Sequence, residues 1–348
     1  VSNDGAGKKP GAATKGPRLA AIVHFRSIAI ILIVAGHSFG LAGVRFGFVF
    51  DDTLVNLIKG ATALFVFISG FLFDYVYGAR FDYRSFILDR AKKLLIPYGV
   101  LTILAGLMFS NWAGGGLSAD QLYRFLLLGD AFQAYWYIPF ILLLFALTPL
   151  YRSFVDLRTS QQAAIIIGGT ILGGIVHRPI GSDDALQSVI FYLPIYLAGL
   201  FLSLHRDTLL PVLQKYWTMM LLTGLSLAVV QALGGQSGNM HKALFALNGF
   251  ELMGLQKLAL SLGLIGFFAT FSSPPSRIVR VIAETSFAIF FLHPFVLKLL
   301  SGQAFFRVTH VPWVDLAIAT AAIVASCALV ALTLRAILRD KSKYIIGY

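Results

Sequence analysis

The chain has 348 residues, 57% hydrophobic and only 13% charged, with a mean hydropathy of +0.79; soluble domains carry about 25% charged residues, so a soluble enzyme, a disordered chain and a fibrous chain are all excluded. The net charge of +12 would suggest nucleic acid in a soluble protein, but the basic residues here sit mostly between apolar runs, so the reading is topology and contact with anionic membrane lipids, with no nucleic acid. A single cysteine, Cys327, excludes an intrachain disulfide and a cysteine-based metal site.

The apolar runs are continuous rather than alternating, which predicts an all-α polytopic membrane bundle and not a barrel. Residues 1–18 are Gly, Ala, Lys and Ser rich and read as a disordered basic tail without a signal peptide. One transmembrane domain follows over 19–340, and 341–348 form a short tail. A spanning helix needs about 20 apolar residues. Ten spans are predicted, at roughly 20–44, 53–77, 94–111, 136–151, 162–177, 186–204, 217–234, 251–271, 284–302 and 314–335. The mixed stretch 117–134 reads as an amphipathic helix at the interface. With the N-terminus inside, the outer segments hold only Arg45, Arg124, Arg178, Lys242 and Arg307 as basic residues. The inner segments hold most of the rest, and this asymmetry predicts both termini in the cytoplasm.

Ionisable residues inside a bilayer are costly and are functional candidates by default. The first span holds His24, Arg26 and His37. Arg26 and His37 are eleven apart, which at 100° per residue is about 1100°, within about 20° of three full turns. Both therefore fall on one helix face, separated by about 16 Å, while His24 faces elsewhere. Two readings are open for this pair. Arg26 can snorkel and His37 can simply pack, or the face can present a cation near one membrane surface and an imidazole near the other.

Ser69-Gly70 interrupts the second span. The basic stretch after it, carrying Arg80, Arg84, Arg90, Lys92 and Lys93, is either topology charge or a phosphate-binding mouth. His293 precedes Pro294 in the ninth span, and Glu284 sits at that span's solvated end. No Walker loop, HExxH, GxSxG or metal-spaced cluster occurs, so no metal is expected. The near absence of acidic residues within spans argues against a proton-coupled transporter.

Six elements in order resemble the membrane acyltransferase-3 family. They are Arg26-x10-His37, FVFISGFLF (65–73), DRAKKLLIPY (89–98), YWYIPF (135–140), FYLPIYLAGLFL (191–202) and TSFAIFFLH (285–293). Lys93 stands where the family often has the second Arg of an R-x-x-R pair; charge is kept but bidentate phosphate geometry is not. The resemblance implies a ten-helix core that moves acyl groups from cytoplasmic acyl-CoA to envelope glycans. The expected co-substrate is acetyl-CoA or succinyl-CoA, with no bound cofactor. The expected acceptor is a cell-envelope or exported polysaccharide or a lipid-linked glycan, at the bacterial inner membrane and in association with envelope-biosynthesis proteins. On this reading His37 is the general base and Arg26 steadies the thioester arm. Arg90, Lys93 and Ser69 bind the donor, and His293 and Trp136 support the site. The rival class is a non-enzymatic transporter or flippase of a lipid-linked glycan. Labelled acetyl-CoA separates the two, because only an enzyme transfers or hydrolyses the label.

Overall fold

The structure is a computed structural model that describes residues 17–78, 81–109, 117–181, 184–244, 246, 249–301 and 306–348. Most of the basic tail read at 1–18, and Arg80, lie outside the described residues. The described chain is helical and has no strand; one isolated bridge joins Arg178 to His241.

Each of the ten predicted spans corresponds to helix, though not always to one unbroken helix. The first is α1 (Pro17–Ala42). The second is broken into α2 (Val49–Ile58) and α3 (Thr62–Tyr77). The third, α4 (Tyr83–Phe109), begins eleven residues earlier than its apolar run, so the basic segment is itself helical. Then come the short α5 (Ala119–Leu127), the bent pair α6 (Tyr137–Ala146) and α7 (Thr148–Val155), α8 (Thr159–Val176) and α9 (Ala185–Leu204). The chain closes with α10 (Arg206–Leu233), α11 (Met253–Ala269), α12 (Arg277–Leu300) and α13 (Pro312–Leu338). Eight helical segments are long and apolar enough to cross a membrane. The pair α6 and α7, bent by 52°, makes a ninth. The tenth, α11, has 17 residues.

The amphipathic reading of 117–134 is met in part. Helix α5 starts at a capping box in which Ser118 accepts from the Gln121 backbone and Gln121 accepts from that of Ser118. None of its residues is buried.

Burial runs opposite to a soluble protein's. Large apolar side chains are exposed along α4, α10 and α13, for example Leu107, Leu222 and Leu329; on a spanning helix these face hydrocarbon. Polar groups turn inward. Helix α1 packs against α12, α13 and α11, and α3 packs against α9. The α3–α9 contact is backbone on backbone. A Cβ at Gly70 would lie 2.0 Å from the Tyr196 carbonyl oxygen, and one at Gly199 would lie 1.9 Å from that of Phe67. Small residues let helices approach this closely.

The break between α2 and α3 leaves helix-end carbonyls without intrahelical donors. The buried Lys257 of α11 supplies them, with Nζ donating to the carbonyls of Asn56 and Leu57 at 2.8 Å each. Gly60, at φ +75°, turns the chain at the break. Gln256 also donates to the Asn56 carbonyl, at 3.1 Å.

Candidate active site

Helix α1 carries two of the predicted site residues along one seam with α12. Arg26 Nη2 donates to Ser286 Oγ at 2.8 Å. Three turns further on, the His37 ring faces the His293 ring with centroids 5.3 Å apart. The shared face expected from helical periodicity is met, since both residues contact the same helix. His24 points away, stacks on Phe268 and meets Phe271 edge-on.

The two ends of the seam differ. At the end where α1 begins, Arg26 feels the charges of Glu284 and Arg90, and no carboxylate among the described residues pairs with it at ion-pair distance. Arg90 is held in an aromatic cage. It donates to the Tyr77 hydroxyl at 3.0 Å and lies over the rings of Tyr77, Phe86 and Phe145 at 5.4, 5.6 and 5.9 Å. Lys93, three residues on, does not join it; it is exposed and ion-paired with Asp89 at 2.7 Å. Helical spacing placed these two on one side of α4, but Arg90 is drawn into the aromatic core while Lys93 turns back one turn to its own carboxylate.

At the end where α1 finishes, a cavity of about 470 Å³ opens beside His37. Its wall includes Gly36, Lys59, Gln133, Trp136, Arg178 and His241. His37 is half-buried, and Gln133 hydrogen-bonds it. His293 is fully buried. Its Nδ1 lies 3.0 Å from the Ile289 carbonyl. A carbonyl only accepts, so Nδ1 carries the proton and Nε2, which has no partner, keeps its lone pair in the neutral ring. Pro294 explains the placement. Having no N–H, it leaves the Phe290 carbonyl without its helical donor, and the His293 ring bonds that carbonyl as well. Helix α12 runs through Pro294 unbroken.

Trp136 stacks on Tyr192 at 5.9 Å, and the Tyr192 hydroxyl accepts from Arg178 at 3.1 Å. Ser69 is not among the residues that line the cavity. Its hydroxyl donates to its own helix at the Phe65 carbonyl, at 2.7 Å, and meets Tyr137. The Gly70 beside it makes the helix contact described above. His241 Nδ1 lies 2.6 Å from the Pro179 carbonyl, which fixes that ring in the wall. Burial first, then the charge of Arg178, hold the His241 pKa below the ordinary imidazole value; the bond to Pro179 opposes this. The ring therefore stays neutral around neutral pH.

Sequence reasoning gave no role to Gln133, Lys59, Arg178, Asn239 or His241. Arg178 and Lys59 were visible only as basic residues outside or at the edge of spans. Nothing local says that four separate connections converge on one cavity. Among the described residues, no group of three or more His, Cys, Asp or Glu could hold a metal ion.

The described residues form a multi-pass helical bundle with a histidine-bearing polar cavity at one end of a seam that joins Arg26 and His37 to α12. The family comparison gives the class its name. Residues 19–334, nearly the whole chain, match the acyltransferase-3 model, described as an acyltransferase domain, and the chain belongs to that family. No curated protein and no solved structure matches it.

Proposed function

We propose that the protein transfers an acyl group, acetyl or succinyl, from acyl-CoA to a hydroxyl of a cell-envelope or exported glycan, at the bacterial inner membrane. The observation that carries this reading is His37 on the wall of a 470 Å³ cavity, at the far end of a seam that starts at Arg26. His37 takes the proton of the acceptor hydroxyl as that oxygen attacks the thioester carbonyl. The carbon–sulfur bond breaks, and the coenzyme A thiolate leaves and takes the proton back from His37. The His293 ring packs against the His37 ring, 5.3 Å between centroids, and Gln133 hydrogen-bonds His37, so the imidazole is held at the cavity wall. Purified protein given labelled acetyl-CoA should release or transfer the label. A flippase would do neither, and that result would remove the enzyme reading.

The donor is made in the cytosol, and its phosphates cannot enter hydrocarbon, so cations at the Arg26 end hold them while the neutral arm runs along the seam. Arg90 and Lys93 are the proposed phosphate clamp, and their different surroundings give them unequal weight. Arg90→Glu should raise the apparent KM for acyl-CoA strongly with little change in turnover at saturation. Lys93→Glu should raise it less, because that ammonium is exposed and already paired with Asp89. Unchanged KM in both variants would return them to topology charge.

The same reading requires the Arg26 end to face the cytoplasm. Reporter fusions in the exposed turn at Gly235 should read outside, and fusions after Tyr348 inside. A Tyr348 fusion that reads outside would overturn both the even number of crossings and the assigned direction of transfer.

A further inference from the structure

The cavity beside His37 holds more positive charge than its surroundings neutralise. Arg178 is 4% exposed. One guanidinium nitrogen is used by Tyr192, while Nε and the other terminal nitrogen have no hydrogen-bond partner. Buried polar groups are nearly always bonded, and a guanidinium with idle N–H groups is costly to keep in a protein interior. Lys59 lines the same cavity and is close enough to Arg178 for the two charges to repel. Its ammonium lies 5.4 Å from the centre of the Phe39 ring, and no carboxylate pairs with it among the described residues.

The charges facing the site from the packed elements do not cancel this. Glu251 acts on Arg178 but forms no ion pair with it, and one of its carboxylate oxygens is itself unpartnered. Asp130 is on the wall but is ion-paired with Arg124 at 2.7 Å. A shallower depression that shares His37, Lys59 and Gln133 with the cavity adds Arg45 and Arg307. Asn239, whose side-chain oxygen is unpartnered, and the neutral His241 complete a polar wall of a kind that binds a sugar by hydrogen bonds.

We propose that the cavity binds an anionic acceptor, a glycan unit whose carboxylate or phosphate sits between Lys59 and Arg178 while a neighbouring hydroxyl reaches His37. The proposal rests on the acyltransferase reading for the word acceptor; the oxyanion site itself stands on the geometry. An oxyanion between the two cations would satisfy the idle guanidinium donors and convert the mutual repulsion into two attractions. The charge-assisted bonds would also fix the orientation of the sugar, so that one hydroxyl is presented to the base.

The test uses the full chain in nanodiscs of zwitterionic lipid, with ligand-observed NMR titration of methyl glucuronide, glucose 6-phosphate and methyl glucoside. The expected result is binding of at least one charged sugar about tenfold or more tighter than the neutral one, the size of a charge-assisted hydrogen bond expressed as a binding constant. Preference for the glucuronide assigns the anion to an acidic sugar, and preference for the phosphate to a phosphorylated or lipid-linked unit. Lys59→Gln and Arg178→Gln should each abolish the preference, and Arg178→Lys should restore part of it. Because Arg178 also holds Tyr192, Lys59→Gln at its less buried position is the variant that keeps the test sound if Arg178→Gln misfolds.

Equal binding of charged and neutral sugars, or a preference that survives both Gln variants, overturns the proposal. A third arm compares acetyl-CoA with succinyl-CoA. If Arg178→Gln slows only succinyl transfer, the anion belongs to the acyl group and the acceptor assignment falls. His37→Ala should lose transfer yet keep the anion preference. A His37→Ala protein that still transfers would sink the catalytic reading and leave the oxyanion site in place.

Discussion

Replacing His37 with alanine is expected to lower acyl transfer by a factor of about 100 or more, the range for loss of a general base, without loss of the folded protein. The imidazole is half-buried at a cavity wall, so its removal enlarges a space that is already open and leaves the α1–α12 seam otherwise intact. His293→Ala should cost less in turnover. That variant deletes the ring that orients His37 and leaves the base itself, and its fully buried position makes some loss of stability unavoidable. The measurements are turnover with saturating labelled acetyl-CoA and the melting transition of the purified protein in detergent. Activity within a few fold of the parent in His37→Ala would show that another group takes the proton.

The largest structural effect is expected at Gly199. A valine there must place Cβ where the Phe67 carbonyl oxygen now lies 1.9 Å away, and the contact is with backbone, so no side chain can swing aside. Helices α3 and α9 would have to separate. Overpacking costs about 1–3 kcal/mol, occasionally more, and a backbone clash belongs above that range. Gly199→Val should leave little monodisperse protein, and Gly199→Ala should be weakened by about 3 kcal/mol or more in a denaturant titration in mixed micelles. Gly168→Ala is the control, because nothing lies within 4 Å of a Cβ built there. A normal transition in Gly199→Val would mean that the α3–α9 contact is looser than described.

The bundle was legible because hydrocarbon imposes a rule that acts residue by residue. A run of apolar residues long enough to span has to become helix, and every predicted span did. The same locality made the Arg26–His37 face readable, since helical twist alone relates two residues eleven apart. What the sequence withheld was everything that depends on where a chain turns or which way a long side chain leans. The second span is two helices, because Gly60 turns the chain and Lys257, some 200 positions away, bonds the carbonyls at the break. Arg90 and Lys93 share a helical spacing yet part company, one captured by three aromatic rings and the other by Asp89. Gln133, Lys59 and Arg178 meet only because separate connections converge, and no pattern within any one of them records that meeting.

The Arg26–Ser286 bond joins positions 260 apart in the chain. On a ribosome adding about 5–20 residues per second, that interval is on the order of 13–50 s. Throughout it, the first helix sits in the membrane with its guanidinium and imidazole exposed to whatever neighbours the insertion machinery provides. Their contacts on α12, Ser286 and His293, arrive together, two turns apart on one late helix. The α1–α12 seam is thus closed only near the end of synthesis. A product truncated before that helix carries the base and the cation but lacks the surface that aligns them. Such a fragment should be inactive in acyl transfer.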